Sequence, residues 1–171
     1  MKPKSVLVAC ASKMGSTAGI ADALADRLHD SGLVVDRGDA GRIETLEGYD
    51  AVVLGSAVYL GRWRSEAVAF LRRFGAELAT RPTWLFQSGP LDDSAEHTSP
   101  SLPSRIATRA ERIGCRGFVT FGGCIDPDHA KGFMAKRMVD GGLGKDFRDF
   151  DRVRAWADAI ATELGSCAPA A

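Results

Sequence analysis

Short apolar runs alternate with stretches of helical period along this chain. Ser5 to Ala11 is one continuous apolar run, the form a strand takes when both of its faces are covered. A polar turn follows, Ser12-Lys13-Met14-Gly15-Ser16-Thr17. A helix comes next, with Ile20, Leu24 and Leu28 on one stripe and Gly32 as its stop. Leu33 to Asp36 and Ala51 to Ser56 read as the second and third strands. Phe70, Leu71, Phe74 and Leu78 mark the buried face of a helix over about 65–78, and Thr83 to Phe86 is the fourth strand. Pro103 suits the first turn of a helix carrying Ile106, Ala110 and Ile113 and ended by Gly114. Gly117 to Phe121 is the fifth strand. Asp151 is the expected cap of a last helix carrying Val153, Trp156, Ile160 and Leu164.

Strands and helices at this spacing predict βαβ units with right-handed crossovers. The expected fold is α/β: a doubly wound five-stranded parallel sheet, order 2-1-3-4-5, with helices on both faces. One domain is expected over 1–165, with an inserted segment at 125–148 and a disordered tail at 166–171.

Composition narrows the function. The 171 residues include 22 Lys plus Arg and 22 Asp plus Glu, so the net charge is zero. No global basic field points to nucleic acid. The four cysteines form no Cys-x-x-Cys pair and the three histidines are scattered, which argues against a metal site or a disulfide framework. The N-terminal apolar run ends at Ser12-Lys13, too short for a leader, and no apolar stretch approaches the ~20 residues that span a bilayer. A cytoplasmic protein is expected, with room for a peripheral membrane contact.

In an open doubly wound sheet, ligands bind beyond the carboxyl ends of the strands at the switch point. Three loops end there. In the first, Ser12, Gly15 and Thr17 are spaced Ser-x-x-Gly-x-Thr. Hydroxyls at both ends, a glycine between them and a helix N-terminus make an anion site; a plain polar turn with a helix cap looks the same. The loop has neither a P-loop nor a dinucleotide fingerprint. The second loop, Ser56-Ala57-Val58-Tyr59-Leu60-Gly61-Arg62-Trp63, carries two aromatics able to cover a planar ring or to pack locally. The third begins Ser88-Gly89-Pro90. After the fifth strand, Gly122-Gly123 allows a close backbone approach or a tight bend. The strand ends lack the carboxylates that a phospho-receiver domain needs. No acid, base or nucleophile in these loops stands out as catalytic, and His97 and His129 read as incidental.

At these residues the sequence resembles the flavodoxin family. The Ser12/Gly15/Thr17 turn is similar to its phosphate loop, with Met14 at the usual middle Thr, and Gly55 to Tyr59 is similar to its second flavin loop. Tyr49 to Arg62, the Leu71-Arg72-Arg73-Phe74 stretch and the Asp149 to Trp156 stretch resemble the subgroup that contains menaquinone-dependent protoporphyrinogen oxidase. The resemblance implies flavin mononucleotide (FMN) as cofactor, held by residues 12–17, 56–61, 88–90, 122 and 123. It implies an FMN-dependent oxidoreductase passing electrons between an organic substrate and a quinone-type acceptor. The alternative is an electron-transfer flavodoxin serving protein redox partners. Such carriers are acidic around the flavin, whereas Arg62, Arg64, Arg72 and Arg73 follow the second loop here. The inserted segment has a helical core, His129 to Val139, with Phe133, Met134 and Met138 on one face and Lys131, Lys136 and Arg137 around them. It is expected to serve as a lid or as a structural edge helix.

Overall fold

The computed structural model describes residues 2–13, 15–89, 100–124 and 146–165. The elements run β1 (Ser5–Ala11), α1 (Ser16–Asp30), β2 (Val34–Asp39), β3 (Ala51–Tyr59), β4 (Arg62–Trp63), α2 (Ser65–Arg73), α3 (Gly75–Leu78), β5 (Thr83–Ser88), α4 (Ser104–Arg112), β6 (Gly117–Phe121) and α5 (Phe150–Glu163). The main sheet has the order β2-β1-β3-β5-β6, with every pairing parallel, and β4 pairs antiparallel with β3 outside that path. This is the flavodoxin-like doubly wound sheet, with the expected order 2-1-3-4-5 if the two-residue β4 is set aside.

Successive strand side chains point to opposite faces, and here both faces are covered. Val6, Val8, Val53, Trp84 and Phe86 pack on one side against Ile20, Leu24 and Leu28 of α1 and Val153, Ala157 and Ile160 of α5. Leu7, Ala9, Leu54 and Leu85 pack on the other against Phe70 and Leu71 of α2, Leu78 of α3 and Ile106 of α4. Coverage on both sides is why the central strands read as continuous apolar runs rather than alternating ones.

Several boundaries differ from the sequence reading. The second strand runs on to Asp39, where its polar residues pair with β1 at a sheet edge. The 65–78 helix is interrupted at Phe74, whose ring meets Phe70 edge-on at 4.9 Å, and Gly75, a weak helix former, starts the next short helix. Asp149, not Asp151, caps α5: its carboxylate accepts the Arg152 amide at 3.0 Å. The third strand continues through Ser56 to Tyr59, so the second loop is a β-hairpin. Residues 125–145 of the segment expected at 125–148, where the expected helix His129 to Val139 falls, and the tail at 166–171 lie outside the described residues. Among the described residues no helix is long and apolar enough to cross a membrane.

Candidate functional site

The carboxyl ends of β1, β3 and β5 lie side by side, with Ala11 opposite Ser56 and Ala57 opposite Ser88. Parallel pairing therefore brings the three sequence-predicted loops to one edge. Met14, Pro90 and His97 lie outside the described residues.

The first loop ends on Gly15, which takes the left-handed conformation (φ 80°) that glycine adopts at least cost and immediately precedes α1. No side chain caps this 15-residue helix, and its first turn holds no acid. The leading amides of a helix have no partner within it and carry the positive end of its dipole. Close in sequence, the Ser12 hydroxyl oxygen is buried and has no hydrogen-bond partner among the described residues. A buried hydroxyl without a partner costs roughly 1–3 kcal/mol unless something meets it. The Thr17 hydroxyl is fully buried and lies 2.7 Å from that of Ser88, joining the first loop to the third. Ser16 accepts the Cys124 amide at 3.0 Å, and Lys13 is exposed at the rim.

The second loop is a two-residue hairpin. Val58 pairs with Trp63 and Tyr59 with Arg62, leaving Leu60 and Gly61 as the turn, with φ values of 49° and 70°. Positive φ at both central positions is the I′ geometry that suits the strand twist. Leucine is an unusual first residue for it, and Leu60 is fully exposed. Tyr59 stands 39% exposed at the strand end, and burial of its inner side pushes the phenol pKa up, partly offset by the Arg64 charge.

Trp63 and Ser56 serve the hairpin itself. Trp63 is buried among α2 and β5 residues, and its indole N–H donates to the Gln87 amide oxygen at 2.9 Å. The Ser56 hydroxyl donates to the Ala57 carbonyl at 2.9 Å and accepts the Arg64 amide at 3.0 Å, so it is engaged within the hairpin.

Gln87 is the residue that sequence reading missed. Its amide nitrogen donates to the Thr120 hydroxyl at 2.9 Å and to the Ser101 carbonyl at 3.2 Å, while Thr120 donates to the Pro100 carbonyl at 2.6 Å. One buried glutamine thus ties the hairpin, β5, β6 and the return of the third loop together. The available signal was a polar residue after the apolar run Trp84-Leu85-Phe86. At Gly122 the close approach comes from the chain itself: a Cβ there would sit 2.0 Å from the Phe147 carbonyl oxygen. Phe147 donates its amide to the Gly123 carbonyl at 3.1 Å, so the returning chain packs against this glycine pair.

The basic stretch after the hairpin also divides. Arg64 pairs with Glu66 at 2.8 Å, while its Nε is buried without a partner among the described residues; Arg73 donates to the Glu44 carbonyl at 2.9 Å and lies over the Phe74 ring. A cleft of about 540 Å³ opens beside the hairpin, lined by Val58, Leu60, Gly89, Leu102 and Thr120 among others. Among the described residues no group of histidine, cysteine or acidic side chains is placed to hold a metal ion.

A family model for the flavodoxin domain matches residues 7–139. No curated protein matches the chain. Among solved structures, flavodoxin 2 from Bacillus cereus is 19% identical with a TM-score of 0.64, covering 94% of this chain and 99% of that one. The flavodoxin of Streptococcus pneumoniae TIGR4 is 17% identical with a TM-score of 0.60, covering 93% and 99%. Rubredoxin:oxygen oxidoreductase from Desulfovibrio gigas is 15% identical with a TM-score of 0.65; the match covers 99% of this chain but 38% of that one. Flavodoxin-domain proteins bind FMN. The Ser12 hydroxyl, without a partner among the described residues and close in sequence to an uncapped helix start, fits that cofactor's phosphate.

Proposed function

The chain belongs to the flavodoxin family, and on that premise we propose that it is an FMN-dependent oxidoreductase passing electrons between an organic substrate and a quinone-type acceptor. Bound FMN supplies the redox chemistry; the chain supplies binding, orientation and electrostatics. In this reading Ser12, the first α1 amides and the Thr17/Ser88 hydroxyl pair hold the phosphate. Tyr59 covers a ring face, while Leu60, Gly61 and Gly89 frame the ring with backbone.

The cleft between the hairpin and the 100–104 turn carries the enzyme reading. It gives a second molecule a partly apolar seat against the hairpin. The Tyr49 to Arg62 resemblance to the protoporphyrinogen oxidase subgroup supplies the quinone-type acceptor. One observation favours a second reading, electron exchange with a protein partner: a cluster of arginines opens beside the same hairpin.

Flavin content of the purified protein, followed by anaerobic reduction and mixing with a water-soluble menaquinone analogue, tests the first reading. Reoxidation in step with quinone reduction is expected. A flavin-loaded protein that stays reduced in the presence of the quinone refutes the acceptor assignment.

A further inference from the structure

A second groove, of about 750 Å³, runs between the hairpin and α4 and is lined by Arg62, Trp63, Val68, Arg105, Arg109 and Arg112 among others. Most arginines elsewhere are engaged: Arg27 with Asp158, Arg37 with Asp22, Arg64 with Glu66, Arg116 with Glu163. The four in the groove form no ion pair and no side-chain hydrogen bond among the described residues.

Their placement works only partly with the helix that carries three of them: Arg109 and Arg112 lie in its last turn, where the dipole favours a cation, but Arg105 does not. Arg105, Arg109 and Arg112 are spaced i, i+4, i+7, so they share one face of α4, where like charges repel. Arg105 sits in the first turn, where the dipole disfavours a cation, and no acid or side-chain cap offsets it there. An incoming anion removes both costs.

We infer that this groove is the docking site for a carboxylate-rich segment of a redox protein partner. Guanidinium groups spread along a helix face and across from it on Arg62 match a row of carboxylates. Val68, half-buried between them, supplies the apolar surface of the groove, with Trp63 and Ile106 packed in the core behind it. Gly61, Pro103 and Ser104 line both this groove and the cleft, so a docked partner abuts the candidate cofactor edge. A nucleic acid fits less well: among the described residues the only aromatic lining the groove, Trp63, is buried, with no face left for base stacking. The inference rests on the second reading above.

The test measures fluorescence polarisation of a labelled peptide, (Glu-Ala-Asp-Leu) repeated three times, titrated with the full FMN-loaded chain. A single-stranded oligothymidylate of equal charge is the second probe, and FMN titrations run in parallel. The peptide should bind saturably and weaken as salt rises. R105Q/R109Q/R112Q should lose affinity by about tenfold or more, R62Q by a smaller factor, and both should bind FMN as the parent does. No peptide binding, equal binding by the triple variant, or tighter binding of the oligothymidylate overturns the inference. Peptide binding by a chain that takes up no FMN upholds the docking site while removing the redox reading.

Discussion

Gly55→Ala should be among the more damaging small substitutions in this protein. Gly55 lies within β3 directly opposite Phe86 of β5. A Cβ built there falls 2.0, 2.3 and 2.4 Å from three carbons of the Phe86 ring, far inside any contact that real Cβ atoms make. The ring has no room to swing away. It is fully buried and meets Phe121 and Trp156 edge-on at 6.2 and 6.3 Å. One added methyl must therefore part β3 from β5 or push the aromatic group off its rotamers, which costs about 2–3 kcal/mol, the upper end for overpacking. Urea unfolding followed by tryptophan fluorescence reads the loss. Phe86→Leu alone should cost less than the ~3–5 kcal/mol of truncation to alanine. In the double variant the smaller side chain makes room, so the double should be more stable than the two single losses predict, by about 1–2 kcal/mol. Gly55→Ala within about 0.5 kcal/mol of the parent, or a double variant whose losses simply add, would refute this reasoning.

Three further outcomes are expected. Thr17→Ala should weaken FMN by roughly 1–3 kcal/mol, the scale for a hydrogen bond to a charged group, with less effect on riboflavin, which lacks the phosphate; calorimetric titration with both ligands checks it. Tyr59→Ala should shift the bound flavin's absorbance and relieve quenching of its fluorescence, and identical spectra would mean that Tyr59 packs only against protein. Burial pushes the Cys10 thiol up from 9.0 to about 11, despite the lowering influence of Arg37. The unfolded chain thus loses this proton first, and stability should fall as pH rises from 9 toward 11; thermal melts of Cys10→Ala should show a shallower fall over that window.

The sequence made the sheet order and the meeting of three loops legible, because runs such as Val6 to Ala11 and Ala51 to Leu54 are apolar on both faces and admit only a covered parallel strand. The hairpin was hidden. Its I′ turn is signalled in most sequences by Asn-Gly or Asp-Gly, whereas Leu60-Gly61 reads as loop. The arginine cluster was hidden for another reason. Arg72 and Arg73 are near Arg62 in sequence but are not among the residues lining the groove, while Arg105, Arg109 and Arg112 reach it from more than forty positions away. Gln87 looked like the edge of a strand, and only the packed neighbours Trp63 and Thr120 show what its amide joins.

The crossing at Gly122 and Phe147 bears on how this chain can be altered. Gly123 and Phe147 are hydrogen-bonded, Cys124 is tied to the start of α1, and the Arg148 guanidinium lies where a Cβ on Gly19 would be. Whatever stands between residues 124 and 146 thus leaves from one anchored point and rejoins at its neighbour. A replacement segment that spans these two anchors should leave the pairing of the sheet strands unchanged. Any engineered graft should keep Gly122, whose missing side chain leaves the crossing room to close.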